Sequence, residues 1–134
     1  LDSASLDWLE RTLRAQPDRP TLVCVHQPPY RSGLHYLDAF GFRGARRLRA
    51  IVDAVPAVRR VLCGHVHCVT GARWREAVLS TAPSTAPQVV PLLFMDGRIL
   101  GIRHERPGFA VHAWDGGGVV TTVMRRDAAG AYGA

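Results

Sequence analysis

The chain has 134 residues, of which 47% are hydrophobic, enough for one domain with a sizeable core and too apolar for a disordered or repetitive chain. No apolar run approaches the roughly 20 residues that cross a bilayer, and Leu1 opens no leader-like pattern, so neither a membrane span nor a secretion signal is expected. The net charge of +6 comes from 17 basic residues, all arginine, scattered rather than massed and with no aromatics between them to stack bases, which favours solvated surface over a nucleic-acid patch.

Leu6, Leu9 and Leu13, with Trp8 alongside, follow helical spacing behind the cap candidates Asp2 to Ser5, and Pro17 and Pro20 close that segment. The apolar run at 21–25 predicts a strand leading into His26-Gln27-Pro28-Pro29. Residues 26–42 mix prolines, glycines and aromatics without a period and predict a long loop, a kind of segment that is more often functional than accidental. Arg43 to Val55 predicts a second helix, with Ala45, Leu48, Ile51, Val52 and Val55 inward and Arg43, Arg46, Arg47 and Arg49 outward, and Pro56 stops it. Val58 to Cys63 predicts a strand running into Gly64-His65-Val66-His67. Strand, helix and strand make a βαβ unit, whose strands are expected to be parallel with a right-handed crossover. Beyond it, Val69–Trp74 and Ala77–Thr81 predict a hairpin, and Leu92–Met95 and Arg98–His104 fit either state. Phe109–Trp114 and Val119–Met124 predict a closing hairpin around Asp115-Gly116-Gly117-Gly118.

Two predicted strands therefore end in histidine. If they are parallel neighbours, His26, His65 and His67 converge at their carboxyl ends, where open α/β sheets place their chemistry, and three neutral imidazoles suit zinc, iron or manganese. Gly64 is expected to supply the sharp turn and the close backbone approach. His104 and His112 carry no such context, and His112 sits inside a strand pattern. Cys63, His65, His67 and Cys68 are too crowded for a zinc knuckle, which uses two well-spaced ligand pairs. Ser84 and Thr85 are expected to satisfy loop backbone groups, and Gly116 to Gly118 is a turn, since no helix follows it to receive an anion. The 3 cysteines leave one unpaired in any disulfide scheme; Cys24 and Cys63 lie in apolar strands as small hydrophobes, and the cytosol fits best.

A strand followed by His26-x-Pro28-Pro29, then a strand followed by Gly64-His65-x-His67, resembles the second half of the calcineurin-like metallophosphoesterases, and most closely their bacterial cyclic-nucleotide phosphodiesterase branch. Leu6-Asp7-Trp8-Leu9-Glu10, Ala82-Pro83-Ser84-Thr85, Pro107-Gly108-Phe109 and Trp114-Asp115-Gly116-Gly117 extend the likeness along nearly the whole chain, in the family's order. The resemblance implies an α/β fold, the C-terminal portion of an αββα sandwich, with residues 1–134 as one partial domain. It implies a site for two divalent ions (Mn, Fe or Zn), with His26 and His65 on the second and His67 on the first, and hydrolysis of a phosphodiester. His35, like His104 and His112, carries no ligand pattern of its own, though its place in the long loop makes it a candidate substrate contact. The branch often carries a second histidine where Gln27 stands.

The family's Asp-x-His, bridging Gly-Asp and Gly-Asn-His motifs are not found in the chain. The resemblance thus implies that the bridging aspartate and the protonating histidine lie in an amino-terminal half outside it. No catalytic residue is then expected within the chain, and metal occupancy should be weak or partial. The uncovered sheet implies a homo-oligomer. The rival readings are a non-catalytic zinc-binding or assembly module and a basic nucleic-acid-binding domain.

Overall fold

The structure, a computed structural model, describes residues 1–86, 88–93 and 99–134, with the side chains of 35–36, 88–93 and 99–105 outside the description. Helix α1 spans Ser3–Ala15. Its N-cap is Asp2, whose carboxylate accepts from the Ser5 amide at 2.8 Å and so fills one of the bonds a helix start leaves open. Strand β1 follows at Thr21–Val25. The segment at 26–42 is a loop apart from one turn of helix, α2, His35–Asp38, and helix α3 covers Ala45–Asp53. The helix expected at Arg43–Val55 is thus shorter at both ends. Gly44 caps it at φ 89°, where an added Cβ would lie 3.0 Å from Leu6 Cδ1, so glycine is required for both torsion and space.

Strands β2 (Val58–Cys63), β3 (Gly71–Trp74) and β4 (Ala77–Thr81) complete one sheet with β1, in the order β1-β2-β4-β3. β1 runs parallel to β2 as the βαβ reading requires, with Val25 opposite Cys63. The hairpin β3–β4 forms, but β4 is also parallel to β2 and takes the inner place. Burial explains the order. Ala77, Leu79 and Thr81 all face the core, whereas Trp74 is the one fully buried residue of β3.

α1 and α3 cover one face of this sheet. Leu48, Val61 and Leu79 are fully buried there, with Leu6, Leu13, Val23, Ile51, Val52 and Val58 around them. The arginines of α3 point outward, as their spacing implies; Arg49 lies over the Trp74 ring, 5.9 Å from its centroid. On the opposite face Leu22 and Cys24 are exposed and Leu62, Val78 and Ser80 half-buried. Arg60 crosses there, its guanidinium donating to the Val119 carbonyl.

The remaining strands form separate antiparallel sheets. β5 (Gln88–Leu93) pairs with β6 (Ile99–Glu105), so the stretches that fitted either state are strands; Phe94 to Arg98, including Met95 and Asp96-Gly97, lie outside the described residues. β7 (Gly108–Trp114) and β8 (Val119–Arg126) form the expected closing hairpin, and a short β9 (Tyr132–Gly133) joins β8. At the hairpin turn the Asp115 carboxylate accepts from the amides of Gly117 and Gly118 at 2.9 and 2.8 Å, which holds its pKa below the usual carboxylate value. The fold class is therefore mixed α/β, a βαβ unit followed by hairpins.

Candidate metal centre

His26 is the residue after β1, and Gly64 the residue after β2. Because those strands are parallel neighbours, the ladder continues one step past both ends, the Gly64 amide donating to the His26 carbonyl at 2.9 Å. Both chains then leave the sheet together, and His65 turns back over His26. The His65 Nδ1 and His26 Nε2 atoms stand 3.3 Å apart, and the rings meet edge to face with centroids 5.2 Å apart.

The sharp turn expected at Gly64 falls instead on the histidines. The Val66 amide closes a three-residue turn onto the Gly64 carbonyl at 2.8 Å, with His65 at φ 67°; His67 follows at φ 58°. Positive φ in a γ-turn is the rare, strained form, and strain of this type costs about 1–3 kcal/mol per residue. Gly64 itself keeps an ordinary φ, and a Cβ there would make only ordinary contact, 3.8 Å from His26 Nδ1. Between the histidines Val66 is buried, so its side chain anchors the loop while His65 stays half-buried and His67 exposed.

Two imidazole nitrogens bound to one ion at about 2.0–2.1 Å, at a near-tetrahedral angle, stand about 3.3 Å apart. The two ring nitrogens here have that separation, which is also within hydrogen-bond distance, the donor and acceptor being set by the tautomers. Burial lowers the His65 pKa below its ordinary value, with further lowering from His26 and then His67, a shift toward the neutral ring. The three histidines do not gather into one cluster: among the described residues no group of three or more His, Cys, Asp and Glu side chains is arranged around a common point. The close pair is His26 with His65; His67, near enough to lower the His65 pKa, completes no group of three with them.

None of the 3 cysteines forms a disulfide, and burial, with Cys24 adding to it, pushes the Cys63 thiol up to about 12. His112 pairs across the closing hairpin with Thr121, Nδ1 to Oγ1 2.8 Å, a structural contact. Ser84 Oγ accepts from the Ala86 amide at 3.1 Å, as a loop hydroxyl should. His35 heads α2, and its side chain, like that of His104, lies outside the described residues.

A cleft of about 310 Å³ opens beside His65, its walls including Pro29, Tyr30, Arg31, Asp38 and Phe42. Asp38 fixes that wall. Its carboxylate accepts from the Ser32 amide and hydroxyl at 2.9 and 2.8 Å and from the Gly33 amide at 3.0 Å, stapling the loop before α2. Sequence reasoning passed over this role, and also over Thr81, the buried polar side chain at 3% exposure, whose signal was a threonine in the inward alternation of Ala77 and Leu79.

No family model matches the chain. Individual curated proteins do. A glycerophosphodiester phosphodiesterase, GpdQ, of Enterobacter lignolyticus is 36% identical over 89 residues, 66% of this chain and 32% of that protein. The 3',5'-cyclic adenosine monophosphate phosphodiesterase CpdA of Escherichia coli K12 is 36% identical over 91 residues, 68% of this chain and 33% of its own length. CpdA of Vibrio vulnificus aligns along 98% of this chain at 28% identity, 47% of that protein. The chain spans about a third to a half of the curated relatives it matches, and those relatives are bacterial phosphodiesterases.

Proposed function

We propose that this chain is the histidine-bearing part of a metal-dependent phosphodiesterase of the calcineurin-like metallophosphoesterase type. In it His26 Nε2 and His65 Nδ1 hold one of two divalent ions (Mn, Fe or Zn), and His67 serves the other. The observation that carries the reading is the 3.3 Å separation of two imidazole ring nitrogens at the ends of adjacent parallel strands. Such ions, when bound, polarise phosphoryl oxygens and supply a hydroxide nucleophile near neutral pH.

The chain's own residues bind and orient. His26 and His65 present their lone pairs without induced fit, since sheet and turn fix both backbones. The cleft beside His65 takes the organic part of a phosphodiester, with the Arg31 cation on its wall to attract the phosphate. His35, in the same loop, is the residue proposed for substrate contact. The substrate class follows the names of the relatives, a cyclic nucleotide or a glycerophosphodiester. Three cysteines outside any disulfide suit a reducing cytosol, the compartment proposed for it. Among the described residues no helix is long and apolar enough to cross a membrane.

Neutral imidazoles compensate none of an ion's charge, so the chain alone should bind zinc weakly and the His65→Ala variant not measurably. Calorimetric titration of the purified chain with zinc checks this; equal binding by wild type and His65→Ala removes the reading.

The 134-residue chain is also proposed to pair with a second copy. β1 stands at the end of its sheet, and between it and α1 runs a groove of about 640 Å³ where Trp8 is 60% and Leu22 44% exposed. An open strand edge beside apolar surface favours edge-to-edge association. Sedimentation at micromolar concentration should show a dimer that Trp8→Glu dissociates; a wild-type monomer contradicts the pairing, and a monomer only when the remaining half is supplied in trans assigns the groove to that half.

A further inference from the structure

The strained turn that carries the histidines is clamped from behind by a chain of hydroxyls. Thr81 Oγ1 lies 2.6 Å from the Cys68 carbonyl, 2.7 Å from the Thr70 amide and 3.0 Å from Thr70 Oγ1, and Thr70 Oγ1 lies 2.9 Å from the Tyr30 hydroxyl. The proton inventory fixes every direction. A carbonyl only accepts, so the single Thr81 proton goes to Cys68, the nearest acceptor; its alternative, the Thr70 carbonyl, is farther at 3.4 Å. Thr81 then accepts from the Thr70 amide and hydroxyl, and Thr70, its proton spent, accepts from Tyr30. The result is one donor chain, Tyr30 to Thr70 to Thr81 to the Cys68 carbonyl.

Its ends matter. Cys68 follows His67 directly, Thr81 closes β4 beside Cys63, and Tyr30 comes from the loop that begins at His26 and lines the cleft beside His65. The chain therefore ties both histidine loops to the sheet. Thr81 is nearly enclosed at 3% exposure, where a hydroxyl without partners would be costly, so the chain is held as a unit. Positive φ at His65 and His67 persists only where the surroundings over-determine it.

We infer that Thr81, acting through Thr70 and Tyr30, is the positioning residue that holds His65 and His67 in their left-handed backbone and so sets the His26–His65 pair for a divalent cation. The inference rests on the metal reading above for its consequence, but the clamp is testable without it. Thr81→Val keeps shape and removes the proton and acceptors; Thr81→Ser restores them; Tyr30→Phe removes only the far end.

In hydrogen–deuterium exchange of the whole chain, Thr81→Val should speed the Val66 amide, which Thr81 does not itself bond, at least about tenfold while Val61 and Leu79 stay unchanged. Zinc titration of the same variant should show affinity lowered about 10- to 100-fold, the usual cost of losing a group that orients a ligand, with Thr81→Ser within about threefold of wild type. If Thr81→Val does not fold, Tyr30→Phe carries the test, with a smaller rise at Val66 and the core amides unmoved. Equal acceleration at Val61, Leu79 and Val66, or no change at Val66, overturns the clamp. Failure of wild type to bind zinc together with selective acceleration at Val66 keeps the clamp and defeats the metal reading instead.

Discussion

Alanine at His65, introduced into the chain joined to the amino-terminal half proposed for it, should lower metal-dependent phosphodiesterase turnover by at least about 10³-fold, because groups that act as one unit fail together when one is lost. The side chain is half of the only close histidine pair among the described residues, and its neighbour His26 cannot hold a site ion alone. The loss should fall on kcat and on metal content together, with secondary structure by circular dichroism unchanged, since His65 is half-buried and outside the core. His112→Ala is the matched comparison: it removes only a hairpin contact with Thr121 and should leave turnover within about twofold, a surface substitution being worth little.

The second large effect is an absence of turnover. The 134-residue chain by itself, supplied with manganese or zinc, should hydrolyse neither a cyclic nucleotide nor a simple aryl phosphodiester above the metal-only rate. Its histidines bring no negative charge to bridge two ions, and the bridging aspartate and protonating histidine are proposed to lie in the amino-terminal half outside this chain. Asp38, the nearest carboxylate on the cleft wall, is committed to Ser32 and Gly33. Steady-state assay of rigorously purified chain decides the matter; robust metal-dependent turnover would mean that Asp38 or another carboxylate of this chain enters the site.

What could be read in the sequence was what short-range pattern carries. Helical spacing with prolines behind it placed α1 and α3, and two apolar runs placed β1 and β2 at their observed bounds. Their parallel pairing followed from the helix between them, and the meeting of His26 with His65 followed from the pairing. The inner place of β4 was not legible, because it rests on the pairing of β4 with β2 and the burial of Ala77 and Leu79, which no local pattern separates from β3. The burden placed on Gly64 was misplaced for a related reason: glycine marks a permissive backbone, yet here the surrounding bonds force the left-handed torsions onto His65 and His67. Those bonds join Tyr30, Thr70 and Thr81 across long stretches of chain, a coincidence no local window contains. β9 was equally hidden, two residues recruited by the end of β8.

The central claim, that His26 and His65 together hold one ion, is atom-specific and can be tested at the atoms. Long-range proton–nitrogen correlation spectra of the imidazoles, recorded while the nitrogen-15-labelled chain is titrated with zinc, should show His26 Nε2 and His65 Nδ1 move in concert from free to metal-bound shifts, with their other ring nitrogens protonated and His112 still. Spectra in which neither nitrogen moves, or in which only one of the two responds, would contradict it.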